Sequence, residues 1–116
     1  MRNDRKNVIV EKTFEFSLGI IEYADLLESK RKYVLGNQII KSGTSIGANT
    51  REAQNAESKA DFIHKFKISA KEADEIQYWL DLCKSAKSYP DPPQELFVLL
   101  QDIIKIISKI IASSKR

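Results

Sequence analysis

Seven positions in the middle of the chain constrain its fold more than any others. Phe62, Phe66, Ser69, Ala73, Ile76, Leu80 and Cys83 follow one another at intervals of three and four residues. A helix of 3.6 residues per turn places all seven on one line, whereas a strand would scatter them over both faces. The spacing predicts a helix over about residues 58–86, with Ser58 as its cap, and it is the pattern of a seam in an antiparallel bundle. Such a seam must be covered by other helices. Leu96, Leu100, Ile103, Ile107 and Ile110 supply a second stripe, flanked by Phe97, Ile104 and Ile111 on one side and by Leu99 and Ile106 on the other. This predicts a helix over about 92–112. "YPDPPQEL" is read as its start, with Asp91 as N-cap, Pro92 at the first helical position and Gln94 in the capping-box position. With only four glycines and three prolines there are few breaks, which favours long helices.

The segment from about 11 to 30 is apolar on two sides. Phe14, Leu18 and Ile21 form one strip; Phe16, Ile20, Tyr23, Ala24 and Leu27 form another roughly opposite. A helix of this kind needs cover on both sides. One strip faces its own bundle. The other is covered either by a second subunit or by the leading segment with Val8 and Val10 folding back. Phe16, Ile20, Tyr23 and Leu27 are taken as the candidate oligomer interface.

Residues 34–54 are predicted as a helix of unfavourable composition. Leu35, Ile39, Gly43, Ile46, Thr50 and Ala53 fall on one side of a wheel, yet the stretch holds two glycines, several hydroxyl residues and Asn49. Summed propensities put it on the order of 4 kcal/mol below polyalanine, so packing has to offset the deficit. Gly43, Gly47 and Ala48 are expected to admit a neighbouring backbone. A phosphate-cradling loop is the competing explanation of the glycines. It fails on spacing, because Gly43 and Gly47 have three residues between them and no Gly-Lys pair follows.

The expected architecture is therefore all-α, a single antiparallel up-down four-helix bundle spanning residues 1–116. The one cysteine, Cys83, permits no internal disulfide, which fits a reducing cytoplasmic compartment. No stretch has signal-peptide or membrane-span length, so no membrane partner is expected. The chemistry of catalysis is missing: there is one histidine, His64, no clustered metal ligands, and no base beside Ser42, Thr44 or Ser45. No catalytic residue, cofactor, metal or small-molecule substrate is expected. Glu72 and Glu75 are read as a solvated carboxylate pair and Cys83 as a core residue. A formal charge of +3 is weakly basic. His64, Lys67 and Lys71 share the outer side of the third helix, with Lys65 near its edge and Arg51 at the end of the second, although Asp74 and Glu75 dilute the patch. Arg51, Lys65, Lys67 and Lys71 are the candidate nucleic-acid residues. The functional expectation is a non-enzymatic oligomer that binds RNA or a nucleoprotein, the alternative being a protein–protein scaffold.

The stretch from Gly36 to Leu82 carries a resemblance. Gln38, Ser45-Ile46, Ala48-Asn49, Glu52, Asp61-Phe62, Lys65, Glu72-Ala73 and Tyr78-Trp79-Leu80 resemble the signature of small bacterial four-helix-bundle proteins. These are known as 23S ribosomal RNA intervening-sequence proteins, and the accessory proteins of diversity-generating retroelements are relatives. The resemblance implies an antiparallel four-helix bundle assembling into a ring-like homo-oligomer, usually a pentamer. In the retroelement relatives a basic ring binds nucleic acid and a reverse transcriptase.

Overall fold

The computed structural model describes residues 7–115; Met1–Lys6, with the basic start of the chain, and Arg116 of the basic tail lie outside the described residues. Four helices follow in order: α1 (Val8–Ser29), α2 (Tyr33–Ala53), α3 (Lys59–Ser85) and α4 (Gln94–Ser114). α1 packs on α2 and α4, and α3 packs on the same two, so α1 and α3 lie diagonally across the bundle. Cross-helix contacts fix the directions. Gly36 lies beside Leu27 and Gly43 beside Ile20, so α2 runs against α1. The Lys65 ammonium reaches Glu52 at 2.9 Å and Ser69 lies by Thr50, so α3 runs against α2. Lys12 reaches Asp102 at 3.3 Å and Gly19 lies beside Leu96, so α4 runs against α1 and hence against α3, to which Gln101 donates at Gln77. The result is an antiparallel four-helix bundle of 46 × 23 × 21 Å.

The α3 seam faces inward as its spacing requires, with Phe66, Ser69, Ala73, Ile76, Leu80 and Cys83 buried and Phe62 at the margin. Ser58 caps α3 by accepting the Asp61 N–H at 3.0 Å. From α4, Leu96, Leu100, Ile103 and Ile107 enter the core. Its start differs from the expected one. α4 begins at Gln94, behind Pro93, and Asp91 makes no cap. The physical reason is the Pro92-Pro93 pair: a residue that precedes proline is pushed out of helical geometry, so Pro92 cannot open the helix. At the other end of the chain α1 starts earlier than expected. Asn7 caps it, its side chain accepting the Val10 N–H at 3.3 Å. Val8 and Val10 therefore extend α1 and do not fold back over it.

The deficit of α2 is met in two ways. Its polar side chains bond within their own helix: Ser42, Thr44 and Ser45 donate to the carbonyls four residues earlier at 2.6–2.8 Å, and Asn49 donates to Ser45 O at 2.9 Å. Burying these hydroxyls therefore leaves no donor unsatisfied. Packing does the rest. Ile39, Gly43, Ile46 and Thr50 are buried between α1 and α3, and the Ser69 hydroxyl donates to Ile46 O at 3.0 Å across the α2–α3 contact. Both Gly43 and Gly47 are helical, with no positive φ, which settles the segment as helix and not an anion-binding loop.

The α1–α2 turn carries Arg31 at φ 62°, in the left-handed region. The Arg31 N–H donates to Glu28 O at 2.9 Å and the Lys32 N–H to Leu27 O at 2.8 Å, the pairing that glycine usually serves at a helix end. An L side chain there costs about 1–2 kcal/mol, partly offset by the unfolded-state entropy that glycine would restore. Arg31→Gly is expected to stabilise the chain by roughly 0.5–1 kcal/mol, read as a raised midpoint in thermal denaturation. An unchanged or lowered midpoint would mean that the turn carries no strain.

Candidate functional site

The two strips of α1 have unequal fates. Phe16, Ile20 and Leu27 are fully buried, and Tyr23 nearly so, inside their own bundle. They are the core and not the oligomer interface. The reason is reach. With Ile9 and Thr13 this strip continues without interruption from one end of α1 to the other, so it supplies a complete inward face. The Phe14–Leu18–Ile21 strip is shorter and gives way to Asp25. It points outward, with the three side chains 55%, 50% and 42% exposed.

Beside that strip runs a groove between α1 and α2. Near the start of α1 it encloses about 230 Å³, bounded by Val10, Phe14, Ser17, Gly47, Ala48 and Arg51. It opens into a shallower depression of about 460 Å³ that includes Leu18 and Glu15. Small residues of α2 make the floor. A methyl group on Gly47 would stand 3.3 Å from Ser17 Oγ and 3.4 Å from Thr13 O, so α1 and α2 are close there. Ala48 lines the same groove. It is exposed at the rim, one position on from the closely packed Gly47.

The four candidate nucleic-acid residues do not form one patch. Arg51 lines the α1–α2 groove together with Phe14. Lys65 belongs to the α2–α3 edge, where its ion pair with Glu52 holds its pKa above the ordinary value. Lys67 and Lys71 are exposed, as is His64, and their spacing puts all three on the outward side of α3. Farther along the same helix come Asp74 and Glu75, then Tyr78 and Leu82, which are 57% and 37% exposed. Glu75 accepts the Trp79 indole N–H at 3.2 Å. The Glu72 carboxyl is pushed up by partial burial and by neighbouring Glu75, against the pull of Lys41 and Lys71.

The Tyr23 hydroxyl donates to Pro90 O at 2.6 Å and ties the α3–α4 connection to α1. Burial, with Cys83 as neighbour, raises the Tyr23 pKa; burial likewise pushes up the Cys83 thiol. Among the described residues there is no group of three or more metal-ligating side chains, and no helix is long and apolar enough to cross a membrane.

Relatives place this arrangement. The profile of the family described as 23S rRNA-intervening sequence protein matches residues 5–113. The chain belongs to that family. Among solved structures, it is similar to a protein of unknown function from the S23 ribosomal protein family of Bacteroides thetaiotaomicron, determined at 1.70 Å. The two share 38% identity with a TM-score of 0.83, over 89% of this chain and 97% of the other. No curated protein matches. Membership in the 23S rRNA-intervening sequence family agrees with the helical bundle. It assigns no reaction, and nothing in the fold points to catalysis.

Proposed function

We propose that this family member is a non-enzymatic bundle that associates with copies of itself through the outward strip of α1 and binds RNA through the outward face of α3. The observation that carries the first part is the exposure of Phe14, Leu18 and Ile21 on one helix face. Burying a large apolar side chain is worth about 1.5–3 kcal/mol, so three left in water on one line favour a protein partner. His64, Lys67 and Lys71 support the second part, since three exposed groups at helical spacing can follow a phosphate backbone. The family's description, which refers to 23S rRNA, points the same way. One observation favours a plain protein scaffold instead: Lys65 is already neutralised by Glu52, which narrows the basic area.

Light scattering tests assembly. The purified chain should give a mass several times 13.3 kDa, and Leu18→Asp should reduce it to the monomer with helicity intact. RNA binding should weaken with salt, by a slope near −0.7 per neutralised phosphate on a single strand, and Lys67→Glu with Lys71→Glu should remove it. A salt-independent interaction, or none with total cellular RNA at low salt, would leave the scaffold reading standing.

A further inference from the structure

The α1–α2 turn keeps a cation where the backbone favours glycine. Arg31 holds φ 62°, and its guanidinium makes no hydrogen bond or ion pair with any described residue. Strain that no contact of the side chain offsets inside the fold points to a use outside it. Lys30 and Lys32 flank Arg31, and Tyr33 and Val34 follow, both exposed. From Ser29 to Arg51 the chain carries five cations and no acid. Around the turn itself, the last turn of α1 and the first turn of α2 set Glu28 alone against the three cations. Asp25 and Glu28 border a depression of about 150 Å³ together with Lys32 and Tyr33, yet neither is paired with a cation of the turn. The Lys32 ammonium lies 4.9 Å from the centre of the Tyr89 ring, which brings the α3–α4 connection to the same end. That connection adds Lys87 and Asp91, whose charges cancel, so the basic surplus is that of the turn.

We infer that this end of the bundle is a contact site for single-stranded RNA, with Lys30, Arg31 and Lys32 on the phosphates and Tyr33 against a base. Neighbouring cations beside an exposed aromatic ring are the combination a single strand uses: charge for its backbone and a flat face for an unstacked base. A duplex keeps its bases stacked away from such a ring. A bilayer gains little from it, because Tyr33 and Val34 offer only a small apolar area beside the charges. The inference rests on the RNA reading above and gives it a second contact, at the end of the bundle and apart from Lys67 and Lys71.

Stability and binding should move in opposite directions at Arg31. Anisotropy of a fluorescent ten-nucleotide oligouridylate, titrated at several salt concentrations, measures the binding. Arg31→Gly should weaken it and flatten the salt dependence by about 0.7, while raising the thermal midpoint. Arg31→Gly with Lys30→Gln should flatten it by about 1.4, and Arg31→Lys, which keeps the charge, should leave the slope unchanged. Lys32 is left in place because it also covers Tyr89. Tyr33→Ala should weaken binding at least about five-fold at an unaltered slope. Parent-like affinity and slope in the double variant overturn the inference, and the RNA reading stands if Lys67→Glu/Lys71→Glu still removes binding. A loss of binding that comes only with a lowered midpoint overturns it too, as do a Tyr33→Ala variant that binds like the parent and binding to phosphatidylserine vesicles in place of the oligonucleotide. A parent chain that binds no oligonucleotide at low salt ends both readings.

Discussion

Replacing Gly43 by alanine should destabilise the bundle by about 2 kcal/mol, although alanine is the better helix former by about 1 kcal/mol. The added methyl would stand 2.7 Å and 2.8 Å from Ile20 Cγ1 and Cγ2, and 3.1 Å from Cδ1. No carbon atoms pack so closely, and Ile20 is fully buried with nowhere to withdraw. Overpacking of this kind typically costs about 1–3 kcal/mol, and three simultaneous contacts place it at the upper end. The partner substitution isolates the cause. In an Ile20→Ala background the obstructing atoms are gone, and Gly43→Ala should become neutral or favourable. Urea denaturation of the four proteins should then yield a coupling energy of about 3 kcal/mol. Equal costs for Gly43→Ala in both backgrounds would show that Ile20 is not what excludes the methyl.

The second large effect separates the two sides of α1. Phe16→Ala is expected to cost about 3–5 kcal/mol of unfolding free energy, because a fully buried ring leaves a cavity that its neighbours fill only in part. Phe14→Ala, two residues away and more than half exposed, should change monomer stability by no more than about 0.5 kcal/mol while weakening association. Denaturant midpoints measured on a monomeric Leu18→Asp background keep the two effects apart. A Phe14 change that unfolds the chain as severely as the Phe16 change would reverse the assignment of inside and outside.

That assignment marks how far the sequence could be read. The stripes of α3 and α4 are single and long, so periodicity alone identifies both their type and their inward side. α2 was legible because Leu35, Ile39, Gly43 and Ile46 keep helical spacing through an unfavourable composition. α1 carries two apolar strips, and residue type does not say which faces in. A signal was nevertheless present: the Phe16 strip can be extended through Thr13 and Ile9 to the helix start, whereas the Phe14 strip ends at Asp25. Length of the stripe, not bulk of its residues, identifies the core side. At α4 the individual preferences of Asp91 and Pro92 point to a start that the adjacent Pro93 forbids, because proline sets the backbone of its predecessor. For the basic residues, the chain order hides what lies beside each one. Glu52 and Lys65 are thirteen positions apart and become an ion pair only because α2 and α3 are antiparallel, and Arg51 and Phe14 come to line one groove because α1 and α2 pack together.

The self-bonded hydroxyls of α2 have a consequence for how the molecule opens. They keep the buried donors satisfied without tying α2 firmly to its neighbours, and they do nothing to make it helical by itself. α2 lies between α1 and α3, with Ile46 O accepting from Ser69 and Gly43 fitted against Ile20. A fluctuation that lifts α3 away therefore also removes what keeps α2 wound. An α1–α2 hairpin alone is therefore expected to show much lower helicity by circular dichroism than the same residues in the full chain.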